Sequence, residues 1–189
     1  MPSTALLVMD VQEGIVRRYA QDADYLPRLH RTIEAARAAA VPVVYVRVGF
    51  RPGYPEVSPR NKSFAAAVRQ SGFTDTDPST AIHPDVAPVP GDVVVVKRRV
   101  SAFTGSDLEV VLRSAGIDHL VLTGIATSGV VLSTLRQAAD LDYRLTVLAD
   151  ACLDADPEVH RVLVEKVFPR QADIRTVDAW IAHLHSPTG

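Results

Sequence analysis

Apolar residues in this chain gather into short, dense runs separated by stretches of helical spacing. Six runs read as strands: residues 5–10 (ALLVMD), 42–48, 92–97 (DVVVVK), 119–124 (HLVLTG), 144–150 and 172–177. They are rich in Val, Ile and Leu and do not alternate with polar residues. A strand with one wet face would place a polar residue at every second position, so these runs predict strands covered on both faces.

Helices are predicted between them. Residues 25–39 carry Leu26, Leu29, Ile33 and Ala36 on one stripe, and residues 61–70 form a shorter candidate. Ser106-Asp107-Leu108-Glu109 reads as a capping box that opens a helix stopping at Gly116. Residues 130–141 and 157–168 follow, with Pro157 suited to a first helical turn. Strand and helix alternate along the whole chain, which predicts an α/β fold: a three-layer α/β/α sandwich with a central, mostly parallel sheet of about six strands. No internal repeat or low-complexity tract interrupts it. At 189 residues the expectation is one domain, 1–189. The longest irregular stretch, residues 49–60, holds Pro52, Gly53, Pro55 and Pro59. Loops of that length in compact domains are often lids or binding loops.

Charge narrows the partners. With 20 basic and 22 acidic residues and no basic stripe, neither nucleic acid nor an anionic membrane is an expected partner. No apolar stretch approaches the roughly 18 residues of a membrane span. The N-terminal residues lack the charged start and apolar length of a signal peptide. The single cysteine, Cys152, rules out an internal disulfide and fits a reducing compartment, so a cytoplasmic protein is expected.

In open parallel sheets, ligands bind beyond the carboxyl ends of the strands. Three features fall there: Asp10 after the first strand, Lys97 after the third, and the turn of residues 124–129 after the fourth. Each has a bland reading. Asp10 is a possible cap, Lys97 a solvated exit beside Arg98 and Arg99, and the turn a tight connection capped by Thr127 or Ser128. Their meeting at one edge favours a site.

The segments ALLVMDVQEG, PGDVVVVKRRVSAFTGSDLE, LVLTGIATSGVVLSTLRQAADLDYRLTVLADAC and DPEVHRVLVEKVFP together resemble, in order, the isochorismatase-like hydrolase superfamily of nicotinamidases, N-carbamoyl amidases and isochorismatases. The resemblance implies a three-layer α/β/α fold, an Asp-Lys-Cys triad, and an oxyanion hole beside a non-proline cis peptide. By position, Asp10 matches the acid/base, Lys97 the lysine, Ile125-Ala126 the cis pair, and Val130 the nucleophile. Valine has no heteroatom and can be neither nucleophile, acid nor base. The resemblance also implies a homodimer or homotetramer, and apolar residues over 130–143 add a compositional hint.

No replacement nucleophile stands out. Ser128 reads as a cap, Ser133 is recessed one turn after Val130, and Cys152 matches a structural position. Metal is not expected: nicotinamidases carry an Asp and two His after the second strand, whereas residues 47–53 here contain no His. His183 and His185 are the one ligand-spaced pair, and they read as a polar or frayed helix end. No cofactor is expected.

Three functions fit a small-molecule pocket of this kind. The favoured one is hydrolysis without a covalent intermediate, of the isochorismatase type. Asp10 would protonate the vinyl carbon of an enol ether, with water adding to the resulting cation. Arg47, Arg51 and Arg60 are the candidates for holding substrate carboxylates, against the bland reading of solvated loop residues. The alternatives are a catalytically inactive protein that binds a small molecule, and an amidohydrolase in which Asp10 activates water.

Overall fold

A computed structural model describes residues 3–19, 22–69 and 72–185. Six strands, β1 (Ser3–Met9), β2 (Val43–Val48), β3 (Val93–Lys97), β4 (Ile117–Ile125), β5 (Arg144–Leu153) and β6 (Asp173–Arg175), form one sheet in the order β3-β2-β1-β4-β5-β6. Every pairing is parallel, so the sheet is more uniform than the mostly parallel one expected. Strand order reverses between β1 and β4. Connections therefore leave in opposite directions there, and a crevice opens beyond the carboxyl ends of these two strands.

The pleat divides the core. On β1, Ala5, Leu7 and Met9 pack to one side while Leu6 and Val8 pack to the other. Helices α4 (Leu108–Ser114) and α5 (Leu132–Asp140) cover the first side through Leu108, Leu112, Leu135 and Ala138. Helices α1 (Glu13–Tyr19), α2 (Tyr25–Ala38) and α7 (Val177–Leu184) cover the second, with Val16, Leu29, Ile33 and Trp180 inserted. On α2 the buried positions Tyr25, Leu29, Ile33 and Ala36 make one stripe, as the spacing predicts. No helix among the described residues is long and apolar enough to cross a membrane.

Several local expectations are corrected. Helix α1 was not predicted. It has 7 residues and buries only Val16, too little for a periodic signal. Helix α7 was also missed, because the last predicted strand ran through Val177. In the structure β6 stops at Arg175, and the Thr176 hydroxyl accepts the Ala179 N–H at 3.2 Å, starting the helix. The predicted 61–70 helix is α3 (Lys62–Arg69), and Gln70 lies outside the described residues. The predicted 157–168 helix is α6 (Pro157–Val162), continued by a wide turn over Leu163–Val167. Half of the Ser106 capping box forms. The hydroxyl accepts the Leu108 N–H at 3.2 Å, while Glu109 turns to Arg113 at 2.8 Å.

The central pair β1 and β4 approach closely at their ends, where Met9 and Gly124 are in register. A Cβ on Gly124 would lie 2.0 Å from the Met9 carbonyl oxygen, and its φ of +133° suits glycine. This contact sets the floor of the crevice.

Candidate active site

Asp10 is the first residue beyond β1. Its φ of 56° is left-handed, which is uncommon outside glycine, and its N–H is held by the Val46 carbonyl at 2.8 Å. Lys97 ends β3, two strands away in the sheet. Its Nζ lies 2.9 Å from Asp10 Oδ2 and also donates to the carbonyls of Arg99 at 3.0 Å and Val100 at 3.1 Å. An ammonium has three donors, so all are engaged. The two side chains are 2% and 8% exposed. Asp10 Oδ1 is buried and has no hydrogen-bond partner. Burial raises the Asp10 pKa above its ordinary value, and the Lys97 charge, the Lys97 hydrogen bond and the Val48 backbone only partly offset this.

Gln12, which the sequence reading passed over, braces this corner. Fully buried, it donates to the carbonyls of Val48 and Thr80, each at 2.8 Å, and accepts the Val48 N–H at 2.8 Å. The side chain thus continues the hydrogen bonding between β1 and β2 past the strand ends. A glutamine two residues after Asp10 was the available signal, but only its partners show the role.

At the end of β4 the Ile125–Ala126 peptide bond is cis. A wide helical turn follows over Thr127–Val131, broken at Gly129, and leads into α5. Neither Thr127 nor Ser128 caps this turn with its side chain, contrary to expectation. Thr127 Oγ1 instead hydrogen-bonds His160 Nδ1 at 2.8 Å, and the Ser128 N–H donates to Asp154 Oδ2 at 2.7 Å. The cap comes from the segment after β5, because a carboxylate there satisfies a donor that the turn leaves open. Burial lowers the His160 pKa, with Asp154 opposing.

Val130 is buried in the same core cluster as Ala102, Phe103 and Leu135. The apolar residues of the 130–143 stretch that hinted at association, Val131, Leu135, Ala138 and Tyr143 among them, are likewise used inside the chain. Cys152 lies within β5 rather than after a strand end. It is buried, its Sγ faces the Leu122 carbonyl at 3.9 Å, and burial pushes its thiol up to about 12. Ser128 is exposed and Ser133 half-buried. None of these four lines the cavity beside the cis peptide.

That cavity has a volume of about 270 Å³. Ile125, Ala126 and Gly129 line it together with Phe50, Phe64 and Phe73. Phe50 and Phe64 meet edge to face, with centroids 5.3 Å apart. Phe73 has a φ of 64°, a strained conformation for a bulky residue, and its carbonyl accepts the Phe50 N–H at 2.7 Å. Asp10 and Lys97 are not on the lining, but their neighbours are. Val48 on the wall is in register with Lys97, and Ile125 directly follows Gly124, the partner of Met9.

The arginines singled out from sequence lie elsewhere. Arg47 is 3.7 Å from Asp75, and Arg51 is 2.6 Å from Glu56. Arg98 grips both acids, with Asp75 at 3.1 and 3.0 Å and Glu56 at 3.5 Å, and also donates to the Gly49 carbonyl. Burial pushes the Glu56 carboxyl up, but hydrogen bonds from backbone and Arg51, with the Arg98 charge, hold it below the usual range. Arg60 is exposed. None of Arg47, Arg51 and Arg60 lines the cavity, and the first two are neutralised by acids of the chain itself. The 49–60 loop is therefore a clamped segment that contributes Phe50 to the cavity wall. Among the described residues no group of three His, Cys, Asp or Glu is placed to hold a metal. His183 lies in the last turn of α7 and His185 at its C-cap.

Comparison with known proteins agrees with the fold. The isochorismatase domain matches residues 4–179. An uncharacterized isochorismatase family protein, YecD of Escherichia coli O157:H7, is 34% identical over 183 residues, covering 93% of each chain. The ureidoacrylate amidohydrolase RutB of Stutzerimonas stutzeri is 33% identical over 210 residues, covering 96% of this chain and 79% of that one. The crystal structure of a cysteine hydrolase from Pseudomonas syringae pv. phaseolicola superimposes with a TM-score of 0.88 at 25% identity, covering 96% of this chain and 92% of that one.

Proposed function

The chain belongs to the isochorismatase family of hydrolases, and from that premise we propose that it hydrolyses a small metabolite by proton transfer from Asp10, without a covalent enzyme intermediate. The observation that carries this reading is the state of Asp10. Its Oδ1 is buried and unpartnered, its pKa is raised by burial, and the one cation beside it is also held by two carbonyls. Such a carboxyl takes up a proton more readily than an ordinary aspartate, and a protonated carboxyl is what general acid catalysis requires.

An enol-pyruvyl ether suits this chemistry. The Asp10 proton goes to the terminal vinyl carbon, and the electron pair of the C=C bond forms the new C–H bond. The ether oxygen stabilises the cation left on the adjacent carbon. Water adds there and returns a proton to Asp10. The hemiketal then collapses to pyruvate and an alcohol. No step needs a thiol, so Val130 at the position matched to the nucleophile is compatible with turnover.

The likeness to a ureidoacrylate amidohydrolase favours a second substrate class, a small amide. That reaction uses Asp10 as the carboxylate to activate water, the form that the Lys97 ammonium at 2.9 Å favours.

Pyruvate release from isochorismate, measured beside ureidoacrylate hydrolysis and an Asp10→Asn control, tests the reading. Release that falls at least about a hundredfold in Asp10→Asn is expected. Hydrolysis of the ureido substrate alone would move the assignment to the amide class. Activity unchanged in Asp10→Asn would overturn both.

A further inference from the structure

We propose that Arg18, not an arginine of the 49–60 loop, is the anion anchor of the cavity, and that the ligand is a small planar carboxylate. The inference rests on the reading that the cavity beside Ile125–Ala126 receives the substrate.

The cavity has two unlike parts. Its body is mostly apolar, lined by Phe50, Phe64, Phe73, Ile125 and Ala126. At about 270 Å³ it holds a one-ring molecule or a planar chain of similar size, and aromatic walls suit a flat apolar body. Among the described residues, Arg18 is the one charged residue that lines it. It sits near the end of α1, is exposed, and has no hydrogen-bond or ion-pair partner among the described residues.

Isolation together with a place on the lining separates Arg18 from the other arginines near the site. Arg47, Arg51 and Arg98 are each paired with Asp75 or Glu56. Arg17, its neighbour, is 3.9 Å from Glu13. Among the described residues no carboxylate lines the cavity, so the Arg18 guanidinium is open to an anionic group of a ligand. A guanidinium fork matches a carboxylate with two parallel N–H···O bonds. The ligand therefore brings a carboxylate to Arg18 and lays its apolar body against the aromatic residues of the cavity.

Calorimetric titration of the Asp10→Asn protein separates binding from turnover. Benzoate and its neutral isostere benzamide serve as probes. Benzoate is expected to bind about tenfold more tightly than benzamide, and Arg18→Gln to erase that preference. Arg60→Gln, an exposed arginine outside the cavity, is expected to retain it. Equal binding of the two probes, no saturable binding of either, or a preference that survives Arg18→Gln overturns the proposal. Benzoate selectivity through Arg18 in a protein whose turnover does not depend on Asp10 would reject the acid mechanism and keep the anchor.

Discussion

The Lys97 ammonium bridges to Asp10 at 2.9 Å and is also held by the carbonyls of Arg99 and Val100, so the pair is fixed from the β3 side. Asp10 is the less satisfied partner, with one buried oxygen unpaired. The asymmetry makes Asp10 the group whose protonation can change, while Lys97 serves as a fixed cation.

Removing the cation therefore strands a buried carboxylate. Lys97→Met is expected to lower stability by about 3–5 kcal/mol at neutral pH, the usual cost of breaking a buried pair from one side. The loss should shrink in acid, where a protonated Asp10 needs no counter-charge. Chemical denaturation at two pH values checks this. A loss that is small at neutral pH, or independent of pH, contradicts the buried-pair description.

Asp10 also shapes the stability of the unaltered protein. Its folded pKa lies above the ordinary value of 3.8, so between those values the folded state holds more protons than the unfolded state. The Asp10 contribution is complete below 3.8 and is lost as pH rises through the folded value. Subtracting the Asp10→Asn melting curve from that of the parent across this window isolates it. The parent's relative stability should fall with rising pH, and a rise would reverse the assigned direction.

What the sequence disclosed follows from where the signals lie. The strands are legible because both faces are covered, which leaves runs such as VVVVK with no polar alternation. Asp10 and Lys97 are legible because they end such runs. Helix α1 is not, since one buried residue in two turns makes no period. The cavity is not legible either, because Phe50, Phe64 and Phe73 belong to a loop, a short helix and a second irregular segment without shared pattern. The surroundings of two candidate arginines were hidden for one reason. Whether Arg47 or Arg51 is free for a ligand depends on Asp75 and Glu56, whose positions only the folded chain reveals.

Cys152 offers a test of the thiol-free reading. With its pKa pushed from 9.0 to about 12, its thiolate fraction near neutrality is roughly a thousandfold below that of an ordinary cysteine. The native protein should resist a thiol reagent that labels the unfolded chain rapidly, and Cys152→Ala should keep the activity of its parent. Fast native labelling accompanied by loss of turnover would point to a thiol mechanism instead.

Arg98 is the clamp of the 49–60 loop. It joins the exit of β3 to Asp75, Glu56 and the Gly49 carbonyl, while Arg99 holds the Glu56 carbonyl at 3.0 Å. Arg98→Ala leaves the two acids with only the weaker Arg47 contact at 3.7 Å and the Arg51 pair, whose arginine is largely exposed. A long contact and a pair with a largely exposed arginine each contribute at most about 1 kcal/mol, so most of the charge-based hold on the loop is lost. Hydrogen exchange should then accelerate at least tenfold over residues 50–60, with β1 and β4 unchanged. Because Phe50 belongs to the same segment and to the cavity wall, benzoate affinity should weaken in parallel. Faster exchange with unaltered affinity would show that Phe50 is held by Phe64 and the Phe73 backbone alone, and that the arginine network serves the loop rather than the cavity.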